Sequence, residues 1–257
     1  MPLLTDLTAV RTLLNRDRHW AAYALGDLDP GLMDQCEWHV PADGAAALLL
    51  VYRGFDPPIT FAMGDPNDLR ALFHEVNVPE IALHVRPDAV EAMAGAYTPT
   101  STRWMRRMVL RPERFRPAPQ EDVEVIGEDM LAAVSALYED GHRKGDGPTF
   151  FHPEMLRQQT FRGVWENGAL VAAAGTHLYS PDLGVCAIGN VYTRTDCRGR
   201  GLGARVTSAV AAGAVSTRIP TIVLNVGHDN AAARRVYERL GFEAYCDFLE
   251  GEATRVR

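Results

Sequence analysis

Apolar residues occur along the chain either at helical spacing or in short runs, and segments of the two kinds follow each other in the same order in each half. Spacing of three and four predicts helices, and short apolar runs between turn residues predict strands. In the first half a helical segment begins with Asp6 or Thr5 as N-cap, and Pro66 opens a second helix. The predicted strands are 36–40, 45–54, 59–64, 80–87 and 103–110, and the helices are 6–27 in two pieces, 66–76 and 88–97.

The second half starts beyond a proline-rich stretch that has no apolar period and predicts a linker at 113–121. Gly141 is expected just past the end of a helix, and Glu166-Asn167-Gly168 predicts a tight hairpin turn. The remaining predicted elements are strands at 123–126, within 160–193, at 221–226 and at 243–251, and helices at 127–140, 201–216 and 230–240.

Each half therefore has the order helix, antiparallel strands, helix, strand, helix, strand. This order predicts an α/β (α+β) protein with two mixed-sheet halves, an N-terminal domain at 1–112 and a C-terminal domain at 122–257. A single continuous mixed sheet without duplication is the alternative that element order leaves open.

Composition narrows the class of protein. The chain has 257 residues, 47% hydrophobic and 23% charged, which excludes disordered, collagen-like and coiled-coil chains. The net charge of −7 argues against a nucleic-acid partner. The longest aliphatic run, Ala45 to Tyr52, is too short to span a membrane, and the N-terminus has no signal-peptide pattern. We expect a cytoplasmic protein without a membrane partner.

The spacing of the cysteines and histidines does not indicate a disulfide bond or a metal site. The four cysteines have no CxxC spacing, so they are expected to be reduced thiols. The eight histidines form no HxxxH or HExxH pattern, so no metal cofactor is predicted.

One segment points to anion chemistry: a predicted strand runs into a turn with three glycines in five residues, directly before a helix. Glycine lets backbone N–H groups approach an anion without a Cβ in the way, and a helix N-terminus favours negative charge. Arg198 and Arg200 could add charge-assisted hydrogen bonds. The alternative is a plain strand-to-helix turn with solvated arginines.

Two known phosphate loops do not fit this turn. A P-loop needs Gly-Lys-Ser/Thr, which is missing from the sequence. The dinucleotide pattern is matched formally by Gly199, Gly201 and Ala204, but it requires an acidic residue at the end of the next strand, where the chain has Asn225.

A second motif follows on the next predicted helix: Asn230, Ala233, Tyr237, Gly241 and Phe242 form N-x-x-A-x-x-x-Y-x-x-x-G-F. Steps of three and four would bring the first three onto one helix face. Together with Arg198-x-x-Gly201-x-Gly203, this helix resembles the GNAT superfamily of acyl-CoA-dependent N-acetyltransferases over about residues 122–250.

The resemblance implies a fold and a ligand position. The strand at 187–193 would splay from the parallel strand at 221–226, and the pantetheine arm of acetyl-CoA, the cosubstrate, would lie in the opening. Thr195 departs from the family, in which proline is common. The residues expected at the cofactor are Val191, Tyr192, Thr193, Arg198, Gly199, Arg200, Gly201, Leu202, Gly203, Ala204, Asn230 and Ala233.

The chemistry implied is acetyl transfer to an amine by direct attack. Tyr237 is the expected acid for the leaving thiolate, because a phenol of pKa near ~10 can protonate a thiolate of pKa ~8–9. The alternative role for Tyr237 is a core tyrosine. The base stays open, and the segment 142–151 is either an acceptor-side loop or a solvated connection. The candidates for the base are His177, Asn190, Glu139, Asp140 and His142.

The N-terminal half lacks the glycine turn and has Gly64-Asp65-Pro66-Asn67-Asp68 at that position. Carboxylates repel phosphate and proline removes an N–H donor, so this half is interpreted as a degenerate GNAT-like domain. It would supply a wall of the acceptor site or a packing partner. The aromatic residues that would line such a wall, or else belong to the core, are Trp20, Tyr23, Trp38 and Trp104.

The resemblance thus implies an acetyl-CoA-dependent N-acetyltransferase with a small-molecule or peptide amine as acceptor. A non-catalytic acyl-CoA-binding sensor is the main alternative, and a protein-interaction module without affinity for CoA is a third. Acceptor identity and oligomeric state, an oligomer included, are left open.

Overall fold

The computed structural model describes residues 3–42 and 46–256. The first residue of the predicted aliphatic run, Ala45, lies outside them, as do the two ends of the chain. The structure divides into two compact units. Unit 1 holds the described residues up to Arg107, Val226–Asp229 and the C-terminal segment from Tyr245. Unit 2 holds Met108–Asn225 and Asn230–Ala244.

The described helices and strands follow the predicted order. The α-helices are α1 (Leu7–Leu14), α2 (Ala22–Gly26), α3 (Pro66–Glu75), α4 (Pro87–Ala92), α5 (Leu131–Lys144), α6 (Leu202–Ser216) and α7 (Ala231–Arg239). The strands are β1 (Cys36–His39), β2 (Leu48–Tyr52), β3 (Ile59–Met63), β4 (Glu80–Val85), β5 (Tyr97–Leu110), β6 (Val123–Ile126), β7 (Phe161–Glu166), β8 (Ala169–Ser180), β9 (Val185–Thr193), β10 (Thr221–Gly227) and β11 (Phe242–Arg255).

In unit 1 the strand order is β1-β2-β3-β4-β11-β5. The pairs β1/β2 and β2/β3 are antiparallel, β3/β4 is parallel, and β4/β11 is antiparallel. The last strand of the chain lies beside β4 because Leu249–Thr254 pair with Glu80–Val85. The units therefore interleave along the sequence, whereas the predicted division at 113–121 is linear.

In unit 2 the strand order is β10-β9-β8-β7-β6. The pairs from β6 to β9 are antiparallel, and β9/β10 is parallel. The hairpin between β7 and β8 turns at Asn167 and Gly168, which both have positive φ, as the predicted tight turn requires. Both units thus contain three antiparallel strands, a helix and a parallel strand in succession, and the predicted mixed α/β fold is confirmed.

Local end signals explain several helix boundaries. The Asp6 carboxylate accepts hydrogen bonds from the N–H groups of Thr8 and Ala9 and caps α1. Asp65 caps α3 in the same way through Asn67 N–H, and Pro66 occupies the first helical position. These two helix starts are confirmed.

The predicted end of the helix at Gly141 is wrong. Helix α5 continues to Lys144, and Gly145 in the left-handed region closes it. Gly141 is needed for close packing: a Cβ there would lie 2.6 Å from Gly147 Cα and 2.8 Å from Tyr192 Cε2. A glycine that admits a neighbouring chain looks, in sequence, like a glycine that ends a helix.

Each unit has its own apolar core. In unit 1, α3 and α4 pack on the sheet through residues such as Leu69, Phe73 and Ala89. In unit 2, α5 packs on β7 and β8 through residues such as Val134 and Leu137 against Phe161. Burial of these side chains supplies the main driving force for folding each unit.

Candidate active site

The parallel strands β9 and β10 in unit 2 part from each other. Their paired residues run from Val185 and Thr221 to Ile188 and Leu224. Beyond that pair β9 continues to Thr193 without a further register partner on β10 among the described residues. An opening between two parallel strands leaves backbone groups of β9 available to a ligand in an extended conformation. The splay that the resemblance implies is therefore present.

A β-bulge accompanies the parting of the strands. Gly189 pairs with Gly175 of β8 and Tyr192 pairs with Ala173, so β9 uses one more residue than β8 between these two pairs. Asn190, inside this interval, has a φ of 54°. Its carbonyl accepts a hydrogen bond of 2.7 Å from the buried Tyr138 hydroxyl. A bulge bends its strand and occurs often beside active sites, and here it lies where β9 leaves β10.

The three expected strand residues differ in where they lie. Val191 and Thr193 are half-buried, whereas the side chain of Tyr192 is buried in the core with α5. The Tyr192 hydroxyl donates to a carboxylate oxygen of Asp140 at 3.1 Å. Tyr192 can therefore contact a ligand through its backbone only, while Val191 and Thr193 can also offer side-chain surface.

The glycine turn is built on two left-handed residues. Gly199 has a φ of 79° and Gly201 a φ of 80°, and a Cβ on either would meet open space. The reason for glycine is thus the backbone conformation. Helix α6 begins directly afterwards at Leu202 without a side-chain cap, so the first-turn N–H groups of Gly203 and Ala204 have no capping partner there. Such a terminus suits an anion.

The two arginines of the turn bind carboxylates in this structure. Arg198 donates to Asp146 at 2.6 Å and to the carbonyl of Thr193 at 3.1 Å. Arg200 forms a bidentate pair with Glu166 at 2.8 and 2.6 Å. Arg198, Asp146 and Arg200 are substantially exposed and Glu166 is partly exposed. Exposed ion pairs contribute only about 0–1 kcal/mol, so another anion can replace these partners at small cost.

On the last helix, the Asn230 motif encodes a cap. Asn230 precedes α7, and its side-chain oxygen accepts the N–H of Ala233 at 3.0 Å. The spacing of three between these residues is that of an N-cap and its N3 position. The prediction that Asn230 shares a helical face with Ala233 and Tyr237 is therefore wrong. The half-buried Ala233 lies in the first turn of this capped helix.

Tyr237, the expected acid, is 7% exposed and lies edge-to-face against Phe242, with ring centroids 6.1 Å apart. Its hydroxyl makes no hydrogen bond to the residues that the structure describes. Burial raises the pKa of Tyr237 to about 12, so the phenol keeps its proton at neutral pH. The residue therefore packs like a core tyrosine while its hydroxyl stays available for another partner.

The base candidates at the end of α5 are mostly engaged. Asp140 accepts hydrogen bonds from Lys144 Nζ at 2.8 Å and from Tyr192. The bond from Lys144 is the main cause that lowers the pKa of this carboxyl. His142 Nε2 lies 2.7 Å from the Pro148 carbonyl. Glu139 is exposed. An ionised Asp140 is a weak base, since its proton affinity falls with its pKa.

The two candidates on the central strands are neighbours. The ring of His177 packs so close to Gly189 that a Cβ there would lie 2.3 Å from Nε2. Desolvation lowers the pKa of His177 to about 4, so its ring is neutral and accepts a proton poorly at pH 7. The side-chain amide of Asn190 is 3.5 Å from the Met155 sulfur, and an amide is no base. The geometry thus favours no single base among the five residues.

In unit 1 the end of the parallel pair β3/β4, which corresponds to the opening between β9 and β10, is filled by side chains. The parallel pair β3/β4 ends at Phe61 and His84, and directly beyond it the Trp20 indole donates to the Ala62 carbonyl at 2.9 Å. Trp20 is fully buried and stacks on His84 with ring centroids 5.1 Å apart. The fully buried Arg107 donates to the carbonyls of His19 and Trp20.

The other aromatic residues named for an acceptor wall lie in different environments. Trp38 is a core residue at 3% exposure, Tyr23 is half-buried, and Trp104 is 43% exposed. Trp20 and Trp38 are therefore core residues of unit 1.

The described residues contain neither a cluster of metal ligands nor a helix that could span a membrane. Within residues 3–42 and 46–256, His, Cys, Asp and Glu side chains form no group of three or more that could hold a metal ion. None of the helices in that part of the chain combines the length and apolar character of a membrane span.

Solved structures share this fold over nearly the whole chain. A Drosophila protein matches 98% of this chain and 97% of its own, at 14% identity and a TM-score of 0.72. GCN5-related N-acetyltransferases from Kribbella flavida (18% identity, 92% and 96% covered, TM-score 0.60) and Sphaerobacter thermophilus (19%, 97% and 92%, 0.58) also match. No curated protein sequence matches significantly.

The fold, the parted strands and the glycine turn define a protein with the GNAT fold, and the resemblance of the C-terminal half to that superfamily is confirmed. Within it, residues 163–250 match the family described as FR47-like protein. That match includes β8, β9, the glycine turn and α7, which contribute residues to the candidate site.

Proposed function

We propose that the chain is an N-acetyltransferase that binds acetyl-CoA in unit 2 and transfers the acetyl group to an amine. The observation that carries the proposal is the separation of β9 from β10 after Ile188 and Leu224, directly before the glycine turn. This arrangement offers an extended backbone edge and a helix N-terminus in succession, which fits a pantetheine arm followed by a diphosphate.

The residues of the turn fit a diphosphate. The two left-handed glycines leave open space where side chains would stand, and α6 has no side-chain cap. The N–H groups from Arg198 to Ala204 would hold the phosphates, and Val191 and Thr193 would pair with the pantetheine amides. Arg198 and Arg200 would exchange their carboxylate partners for phosphate, which forms stronger charge-assisted bonds.

When bound, acetyl-CoA would supply an activated acetyl group as a thioester. In the transfer a C–N bond forms to the amine and the C–S bond breaks. The Tyr237 hydroxyl, which makes no hydrogen bond to the described residues, would give its proton to the departing sulfur. A backbone N–H of the β9 bulge would stabilise the negative charge on the carbonyl oxygen, and a donor of this kind contributes about 2.7–4 kcal/mol. The amine loses its proton to solvent or to an acceptor-side group.

Unit 1 is inferred not to bind acyl-CoA and to be a degenerate copy of the same design. The Asp65 carboxylate caps α3 where unit 2 has an uncapped glycine terminus, and Trp20 fills the place beyond the last β3/β4 pair. A negative cap disfavours phosphate, and a buried indole leaves no room for a pantetheine arm.

A non-catalytic acyl-CoA sensor is the second candidate. It is favoured by one observation, the state of the ionisable base candidates. Asp140 and His142 are each hydrogen-bonded to another residue, and the ring of His177 is neutral. A sensor would bind CoA without turnover.

Calorimetry with acetyl-CoA, followed by detection of free thiol with a panel of small amines and peptide N-termini, separates the candidates. Binding with thiol release supports the enzyme. Binding without thiol release supports the sensor, and no binding contradicts both. The four cysteines are free thiols, so alkylated protein serves as the background control.

A further inference from the structure

The segment after α5 contacts the glycine turn through an ion pair. Asp146 accepts a hydrogen bond of 2.6 Å from Arg198, whose guanidinium also lies over the Tyr192 ring at 5.4 Å. Both partners of the pair are substantially exposed, at 44% and 41%. The residue expected to bind the diphosphate is therefore held by a carboxylate from the loop that follows α5.

The same loop covers the strands at a second point. The Phe150 ring packs edge-to-face on His177 of β8, with centroids 5.3 Å apart, and Phe151 packs on Tyr138 of α5 at 5.1 Å. Residues 145–151 thus extend from the glycine turn to His177 of β8, whose ring packs beside Gly189 at the start of the β9 bulge. This is the segment that the sequence suggests as an acceptor-side loop.

We propose that the ion pair between Asp146 and Arg198 is a latch. It holds loop 145–151 against the glycine turn until the diphosphate of CoA replaces Asp146 as the partner of Arg198. The proposal rests on the proposed function, because it requires a diphosphate at the N-terminus of α6. Cofactor binding would therefore release the loop from the glycine turn.

The physical basis is competition between two anions for one guanidinium. A diphosphate offers more acceptor oxygens and more charge than one carboxylate, and the helix N-terminus stabilises it further. Once it is bound, Asp146 faces an anion of like charge and its contact becomes repulsive. The loop then loses its contact with Arg198 and keeps the ring contacts of Phe150 and Phe151 and the contact of the Pro148 carbonyl with His142 of α5.

The chain contains a reporter for this motion. Lys144 is the only lysine in the sequence and is the last residue of α5, immediately before the loop. A lysine-specific protease therefore cuts the chain at one bond only, between Lys144 and Gly145. Cleavage needs local opening of the backbone, so its rate measures release of the loop.

The test follows cleavage at Lys144 with and without CoA, with pantetheine as the probe that lacks the diphosphate. The latch predicts faster cleavage with CoA and no acceleration with pantetheine. It also predicts that Asp146→Asn is cut quickly without ligand and binds CoA about two- to fivefold more tightly, since the competing ion pair contributes up to about 1 kcal/mol.

Glu166→Gln is the matched control, because it frees Arg200 in the same turn and leaves the loop untouched. Its cleavage should match that of the unmodified protein. The latch is overturned if CoA binds by calorimetry while cleavage at Lys144 is unchanged or slower, or if Asp146→Asn binds CoA more weakly. If calorimetry shows no CoA binding to any variant, the proposed function fails, and the latch fails with it.

Discussion

Ile188 of β9 and Leu224 of β10 are the last partners of the parallel pair in unit 2. The register break at the Asn190 bulge follows two residues later, and the first left-handed glycine of the turn, Gly199, comes after it. One strand thus provides pairing, an open edge and the entry to a helix N-terminus in succession. The predictions below test each of these parts.

The glycine turn is tested by the double substitution Gly201→Val and Gly203→Val. Acetyl-CoA at about 100 times its Kd should stabilise the unmodified protein by about 2.7 kcal/mol, or roughly 5–10 °C in Tm. The double variant should lose this shift, because valine disfavours the φ of 80° and its side chain would fill the anion site.

Gly213→Ala is the control for that experiment, since this glycine lies within α6 and a Cβ there meets open space. It should raise the free energy of unfolding by about 0.5–1 kcal/mol and keep the ligand shift. An undiminished shift in the double variant would contradict the assignment of the turn.

Tyr237→Phe tests the proposed acid. We expect kcat to fall about 10²-fold with little change in CoA affinity, at the lower end of the range for general acid catalysis because water can partly replace the phenol. Stability should change little, since the Tyr237 hydroxyl has no hydrogen bond to the described residues. Turnover within about threefold of the parent would remove Tyr237 from the mechanism.

Tyr97→Phe is the control for Tyr237→Phe, because it should lower stability and leave turnover unchanged. The Tyr97 hydroxyl donates to the carbonyls of Val76 and Val78 in the core of unit 1. Its loss takes this donor from the Val78 carbonyl, whereas the Val76 carbonyl keeps a bond from Arg255, and it should lower the free energy of unfolding by about 1–3 kcal/mol, while kcat is unchanged. Denaturant unfolding and steady-state kinetics on both variants separate the two roles.

Asp65→Ala combined with Asp68→Ala tests which unit binds the cofactor. Removing the Asp65 cap should cost about 1 kcal/mol of stability, and the acetyl-CoA shift should persist in full. If the shift disappears in this variant, the cofactor site lies in unit 1 and the assignment to unit 2 is wrong.

Trp20 tests the closed region of unit 1. Trp20→Phe leaves the buried Ala62 carbonyl without its donor and should cost about 1–3 kcal/mol, and Trp20→Ala should cost about 3–5 kcal/mol through the cavity it leaves. Trp104→Ala, at an exposed position, should stay within about 0.5 kcal/mol. Equal effects of the two alanine variants in urea unfolding would contradict the role of Trp20 as a core plug.

Asp27 should make stability depend on pH. Burial raises the pKa of Asp27 to about 7, from a usual value near 3.8. Between about pH 4 and 7 the folded protein keeps a proton that the unfolded chain has released, so the contribution of Asp27 to the free energy of unfolding falls as pH rises through this window. Asp27→Asn removes the dependence. Unfolding curves at several pH values should therefore diverge between the two proteins, and parallel curves would contradict the raised pKa.

The sequence by itself determined the features that arise from neighbours along the chain. Asp6 and Asp65 cap helices two or three residues away, Asn167 and Gly168 make a two-residue hairpin turn, and Gly199 and Gly201 permit a left-handed backbone. These signals act over a few residues, so residue type and spacing suffice to predict the elements and the GNAT-like order.

Tertiary structure decided what depends on distant partners. Arg198 meets Asp146 across 52 positions, and Arg200 meets Glu166 across 34, so their pairing cannot be read from spacing. Gly141 resembles a helix end in sequence and is instead a packing position against Tyr192. Packing complementarity and sheet register are properties of chain segments brought together by folding, and no local pattern encodes them.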